Sequence, residues 1–502
     1  MAKKDNRIKY NLLSGIVYQV ILIVLSFLLP RLYLENFGSE VNGVLSTIKQ
    51  IFVYMALLES GVGLATTQAL YKPVAEKNYG KVSSVISATN NYYCKIGFLY
   101  AVIVLVIATV YAFIVPTGIS SGVVFGIVVL TALPALFSYF VQAKYRILLE
   151  VDGRKYVITN SETVLQLLSN IGKILVLLLT DSLILIQLVY CVLSLLQLLY
   201  VYINAKRRYK WLNVKAEPDY EAISQRKSVL VHQISGMVFN NTDVLLLSFL
   251  TDFNVVSVYT IYNIFFSQVQ TFIISIISGF SFALGQMFHT DREKFLKVYN
   301  VYETFYIMAT FIIYTLMALF LLPLIQLYTS GIDDANYTNV YLVILFVIMN
   351  LLSNGKLPSN HVLEYSGKFQ ETRSHAIIEM IINIVVSVVA ILIWGICGAI
   401  LGTIVALLYR CAMMIYYSNK KVLNRSVFNT YKLWIVNGAV FAAIMIIFFV
   451  DSFTGLSFVN LLIKGIIHTL WIVPLYIAVN FVFFKGAFKN LIALRRNKNE
   501  HS

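Results

Sequence analysis

Apolar residues run along this chain in long stretches separated by short polar segments. Four of them, Ile96 to Val115, Gly122 to Ala143, Ser182 to Ile203 and Leu433 to Val450, contain no charged side chain. At about 1.5 Å per residue each crosses roughly 30 Å of hydrocarbon as a helix. The same pattern predicts about fourteen transmembrane helices, near 10–30, 42–71, 83–115, 121–143, 157–179, 183–204, 228–250, 256–287, 298–323, 340–363, 374–393, 396–419, 433–450 and 458–484. Lys3, Lys4, Arg7 and Lys9 ahead of the first stretch imitate the opening of a secretory signal. A small-residue cleavage site should follow. The chain reads Leu28-Leu29-Pro30-Arg31-Leu32-Tyr33 instead, so this is the first transmembrane helix.

Composition agrees, with 59% apolar and 13% charged residues where soluble domains average about half and about a quarter. The formal charge of +15 would suggest nucleic acid in a soluble protein, but its distribution points elsewhere. With the N-terminus inside, 33 of the 39 basic residues fall in alternate connections on one side or toward the span ends beside them, only Arg31 lies outside, and the other five lie within spans. The positive-inside rule makes that side the cytoplasm and places both termini there. The opposite connections are short and acidic, with Glu35, Glu40, Asp181, Asp252, Asp333, Asp334 and Asp451. The longest, about 328–339, is too short for a folded catalytic module, which argues against an enzyme. Cys94, Cys191, Cys397 and Cys411 are scattered through apolar segments without metal-ligand spacing and read as packing residues. No glycine-rich nucleotide loop is present, so neither ATP hydrolysis nor a cofactor or metal is expected.

An internal echo organises the spans. Leu149-Glu150-Val151-Asp152-Gly153-Arg154 matches Leu363-Glu364-Tyr365-Ser366-Gly367-Lys368 at an offset of 214, and without a gap Lys206-Arg207 then meets Lys420-Lys421. Six spans return a chain to its starting side, so two six-helix halves share orientation, the arrangement of parallel-repeat transporters that bind substrate near the midplane between rocking halves. The expected organisation is an N-lobe (1–204), a cytoplasmic inter-lobe linker (205–227), a C-lobe (228–419), a cytoplasmic loop (420–432), two further helices (433–484) and a basic cytoplasmic tail (485–502).

Several motifs then carry a resemblance. Phe37-Gly38-Ser39-Glu40-Val41-Asn42-Gly43, Leu57-Leu58-Glu59-Ser60-Gly61-Val62-Gly63-Leu64-Ala65 and Leu70-Tyr71-Lys72-Pro73, followed by Asn241-Thr242-Asp243 and Gly402-Thr403, are similar in order and spacing to the Wzx-type lipid-linked oligosaccharide flippases. These belong to the multidrug, oligosaccharidyl-lipid and polysaccharide (MOP) exporter superfamily. The resemblance covers almost the whole chain. It implies an all-α, MATE/MurJ-like fold, two six-helix lobes in a V around a cavity plus two C-terminal helices. It also implies a non-enzymatic, alternating-access flippase in the bacterial cytoplasmic membrane. Such proteins move undecaprenyl-pyrophosphate-linked oligosaccharide units for capsule or cell-wall polysaccharide, alongside other assembly proteins. A lipid II flippase, a MATE-type multidrug exporter and, less favoured, a membrane enzyme of glycan assembly are the alternatives.

Charges within spans cost at least about 2.5 to 3.5 kcal/mol each at a helix centre and call for a reason. For a pyrophosphate cargo the cations Lys49, Lys173, Lys95, Arg31 and Arg410 are the candidate contacts, Lys49 foremost, with Gln50, Gln19 and Thr47 as polar neighbours. Arg410 has an equal reading as an interfacial side chain, and snorkelling is the stronger alternative for Arg31 and the favoured one for Lys464. Glu59, Asp243 and Glu379 are candidates either for coupling to H+ or Na+ or for structural ion pairs. Glu162 and Glu303, near the inner span ends, are expected to reach cytoplasmic water.

Overall fold

The computed structural model describes residues 2–113, 117–223, 237, 241–366, 369–448 and 457–499. Helices and short connections make up all of these residues, and eleven helices among them are long and apolar enough to cross a membrane. The chain divides into two compact units, Met1–Leu245 and Leu246–Ser502.

The first unit contains α1 (Ala2–Met55), α2 (Leu57–Ala75), α3 (Tyr79–Phe113), α4 (Ser121–Val141), α5 (Ala143–Val151), α6 (Lys155–Leu179) and α7 (Leu183–Arg208). A short apolar helix, α8 (Asn241–Leu250), carries the boundary. The first two expected spans meet inside α1, where Gly38 leaves helical geometry at φ 80° and ψ −179°. A side chain there would clash with the backbone, and glycine has none. The second unit contains α9 (Phe253–Thr290), α10 (Arg292–Tyr328), α11 (Val340–Gly355), α12 (Leu357–Tyr365), α13 (Phe369–Trp394), α14 (Ile396–Tyr416) with a π-helical turn at Tyr417–Leu423, α15 (Phe428–Phe448), α16 (Phe458–Phe483) and α17 (Lys485–Asn499). Asp252 and Asp291 cap α9 and α10, accepting from the Val255 and Lys294 amides at 3.0 and 2.9 Å, so Asp252, one of the acids on the expected outer side, also satisfies an orphan helix-start donor.

Helix bounds in the second unit follow those of the first at the offset of 214. Adding 214 to α5 (143–151) gives 357–365, the bounds of α12, and adding it to α6 (155–179) gives 369–393, within one residue of α13. Both units break one apolar span at the same register: Gln142 separates α4 from α5, and Lys356 separates α11 from α12. The expected continuous helix at 340–363 is therefore two helices, whereas the one at 121–143 matches α4 to within two residues and α5 lies in the expected connection after it.

The expected linker, 205–227, begins within α7 and is described as far as Ile223. Its described part is docked on the first unit: the Asp219 amide donates to the Ser84 carbonyl at 3.1 Å, Trp211 lies 4.3 Å from the Tyr79 ring, Asp219 pairs with Lys81, and Ile223 is fully buried. Aromatic side chains at 209, 211 and 220 give this polar segment enough apolar surface to fold back.

Packing between helices relies on close approach, because lipid supplies no hydrophobic drive for helix association. On α13, Ile381, Val385, Val389 and Leu392 form an exposed stripe. The opposite face meets α14, with Asn383 donating to Thr403 Oγ1 at 2.8 Å. A Cβ added to Gly402 would lie 2.1 Å from Ser387 Oγ and 2.6 Å from its Cα, so only glycine allows this separation.

Candidate functional site

Lys49 lies on α1, eleven residues past the Gly38 break, and Lys173 on α6. These helices pack together. Lys49 is exposed, although Thr47 and Ile48 beside it are buried, and Lys173 is half-buried. Neither forms an ion pair among the described residues. The Tyr190 ring of α7 lies 5.0 Å from Lys173 Nζ, a contact that stabilises a cation without cancelling its charge. Gly172 permits it, since a Cβ there would stand 2.6 Å from Val189 of α7. Two polar atoms beside the pair, Gln50 Nε2 and Ser169 Oγ, are buried without a hydrogen-bond partner among the described residues. Like charges and unmet polar atoms in an apolar span are costly, and an anion offsets both. Thr47 is satisfied on its own helix, donating to the Gly43 carbonyl at 2.9 Å. The Gln19 side chain lies outside the described residues.

The other candidates of this unit lie apart. Lys95 shares the exposed face of α3 with Phe98, Leu99, Val102 and Val106, and no interaction joins it to the lysine pair among the described residues. Arg31 pairs with Glu35 one turn on, at 2.7 Å. Glu59 interacts with Arg146, which itself bonds Glu162 at 2.7 Å. Glu162 is partly exposed. Asp243 is buried and near Tyr54, whose hydroxyl lies 2.8 Å from Thr242 Oγ1.

In the second unit Glu379, Lys356, Arg410, Glu303 and Arg425 are joined in ion pairs. Glu379 of α13 receives Lys356 Nζ on one carboxylate oxygen at 3.3 Å and Arg410 Nε of α14 on the other at 3.2 Å. Arg410 also donates to the Thr372 carbonyl at 3.3 Å. Lys356 is the residue of the helix break, so the triad ties that break to the α13–α14 pair. Glu303 corrects an expectation: it is 1% exposed rather than in contact with cytoplasmic water. Arg425 pairs with it, and Thr430 Oγ1 donates to its Oε1 at 2.7 Å. The chain past α14 folds back over α10 and supplies both partners.

Sequence reasoning did not single out Tyr190, Arg146, Lys356 or Arg425 as partners. Each partnership spans a sequence separation with no local spacing to mark it. The last three were counted only as basic residues of cytoplasmic connections, and no sign of a returning segment distinguishes them there.

The chain is a multi-pass helical membrane protein whose two units repeat a helix order. No family model and no curated relative matches it. Solved structures do. The lipid II flippase MurJ, in an inward closed conformation, superposes with a TM-score of 0.69 at 14% identity, over 95% of this chain and 99% of MurJ. An inward-facing multidrug resistance MATE family transporter of the MOP superfamily gives 0.63 at 13% identity, over 80% and 94%. A MOP superfamily transporter from Pyrococcus furiosus, described as having a binding pocket of reverse polarity, gives 0.53 at 12%, over 82% and 96%. The fold is that of the MurJ and MATE transporters.

Proposed function

We propose that this protein is a MOP-type flippase. It moves undecaprenyl-pyrophosphate-linked oligosaccharide units from the cytoplasmic to the outer leaflet of a bacterial cytoplasmic membrane by alternating access, with both termini cytoplasmic and without enzymatic activity. The observation that carries the reading is the pair of cations Lys49 and Lys173 on packed helices, with no acidic partner among the described residues. Pyrophosphate is the anion that neutralises such a pair, and ammonium groups replace the water it leaves behind. Gln50 and Ser169 supply further polar contacts, and Tyr190 holds Lys173 in place. A cationic drug would be repelled by this pair, which disfavours the multidrug reading. The likeness to MurJ keeps a lipid II flippase as the second reading, because lipid II offers the same pyrophosphate.

Depletion in the native cell separates these readings. The expected outcome is accumulation of an oligosaccharide-linked undecaprenyl pyrophosphate on the cytoplasmic leaflet with lipid II unchanged. Accumulation of lipid II supports the second reading. Rising sensitivity to cationic drugs with no lipid-linked glycan accumulating overturns both.

A further inference from the structure

The C-terminal end of α7 carries a groove of about 450 Å³ lined by Tyr200, Ile203, Asn204, Arg207 and Arg208. The spacing i, i+3, i+4, i+7, i+8 is that of one helix face. We propose that this groove binds an anionic phospholipid, its phosphate on Arg207 and Arg208 and its acyl chain along the apolar face of α7. The site is independent of the lysine pair and of the transport reading.

Three observations support it. First, the two arginines have no ion-pair partner among the described residues, whereas Lys81, Arg146, Arg154 and Lys155 of the same unit all have one, to Asp219, Glu162, Asp152 and Glu150. Second, both are exposed, and adjacent Lys206 is occupied over the Tyr202 ring at 5.5 Å. Third, the same face continues toward the middle of the span as Val192, Leu196, Leu199, Tyr200 and Ile203, all exposed. From Val192 to Ile203 the helix rises about 16 Å at 1.5 Å per residue, close to the ~15 Å that one leaflet contributes to the hydrocarbon core. An acyl chain therefore matches the stripe while the phosphate reaches the arginines one turn beyond, where Asn204 adds a hydrogen-bonding amide. Guanidinium groups suit this role, because two N–H bonds fit two phosphate oxygens at once. A soluble phosphate would use the arginines and leave the stripe empty, so the full groove selects a lipid.

The full-length protein in mild detergent, titrated with phosphatidylglycerol or phosphatidylcholine and read by native mass spectrometry, tests the site. Wild type is expected to retain phosphatidylglycerol over phosphatidylcholine, and R207Q/R208Q to lose about 10-fold in retention. R207K/R208K, keeping the charge and losing the fork, is expected between the two. K210Q/K215Q removes equal charge from exposed positions outside the groove and is expected to behave as wild type. An equal loss in K210Q/K215Q means diffuse charge attraction and overturns the proposal. So does equal retention of phosphatidylcholine, or displacement of the lipid by millimolar inorganic phosphate. Size-exclusion profiles identify any variant whose loss reflects misfolding, and R207K/R208K then carries the test.

Discussion

The two units share a helix register and differ in what they do with charge. At the offset of 214, Lys49 and Lys173 of the first unit correspond to Asn263 and Ser387 of the second, both uncharged. Conversely, the triad of Lys356, Glu379 and Arg410 corresponds to Gln142, Leu165 and Leu196. Lys49 and Lys173 of the first unit have no ion pair among the described residues, and the embedded arginine of the second is held by a carboxylate. One scaffold thus has two electrostatic arrangements, a closed triad in the second unit and, in the function proposed above, a pair open to an outside anion in the first.

Breaking the closed arrangement should have the largest effect. Glu379→Ala leaves Lys356 and Arg410 buried against each other and is expected to cost about 3–5 kcal/mol, read as a lowered melting temperature in detergent. Replacing the whole triad (Lys356→Met, Glu379→Leu, Arg410→Leu) should recover most of it, since a buried network exchanged for apolar side chains is often neutral. Next comes the helix contact that presents the triad: Gly402→Val drives a side chain into Ser387 and should cost about 1–3 kcal/mol in the same assay. The open arrangement responds in function. Lys49→Gln with Lys173→Gln should lower transport about 10-fold, equivalent to ~1.4 kcal/mol, while folded yield stays level or rises because two charges are removed from apolar spans. Full transport by this variant would remove the proposed pyrophosphate contacts.

The smallest effect concerns the docked segment. The Lys81 ammonium beside Asp219 holds its carboxyl below the ordinary carboxylate range. Lys81 is half-exposed, so Lys81→Ala should cost less than about 1 kcal/mol. A carboxyl whose folded pKa is depressed contributes stability above its unfolded value, near 4, and loses it as pH falls through the lower folded value. Wild type and variant should therefore differ at pH 7 and converge in strong acid, as followed by thermal unfolding.

Much of the fold was legible because transfer into hydrocarbon leaves long uncharged runs, and because six-span halves obey a counting rule. The break at Lys356 was not, although Gly355 and Pro358 flank it, because the apolar run continues on both sides. For the site, Lys49 and Lys173 stood out because a charge inside an apolar run is costly, so each required an explanation. Their adjacency did not, being a property of how α1 packs on α6. The expected contact of Glu303 with water failed because Arg425 and Thr430 return from beyond α14 to enclose it.

The close contact of α13 with α14 bears on how this chain enters a membrane at all. The two helices are joined at Gly395, which turns the chain with φ 55°, and they carry Glu379 and Arg410 respectively. Inserted one at a time, each helix would bring a lone charge past the translocon at about 2.5 to 3.5 kcal/mol. Leaving it as a hairpin, they present a neutral pair. Biogenesis of this region is then cooperative, and a lesion at the glycine contact should surface first as a topological error in newly made chains, before any loss in the mature protein.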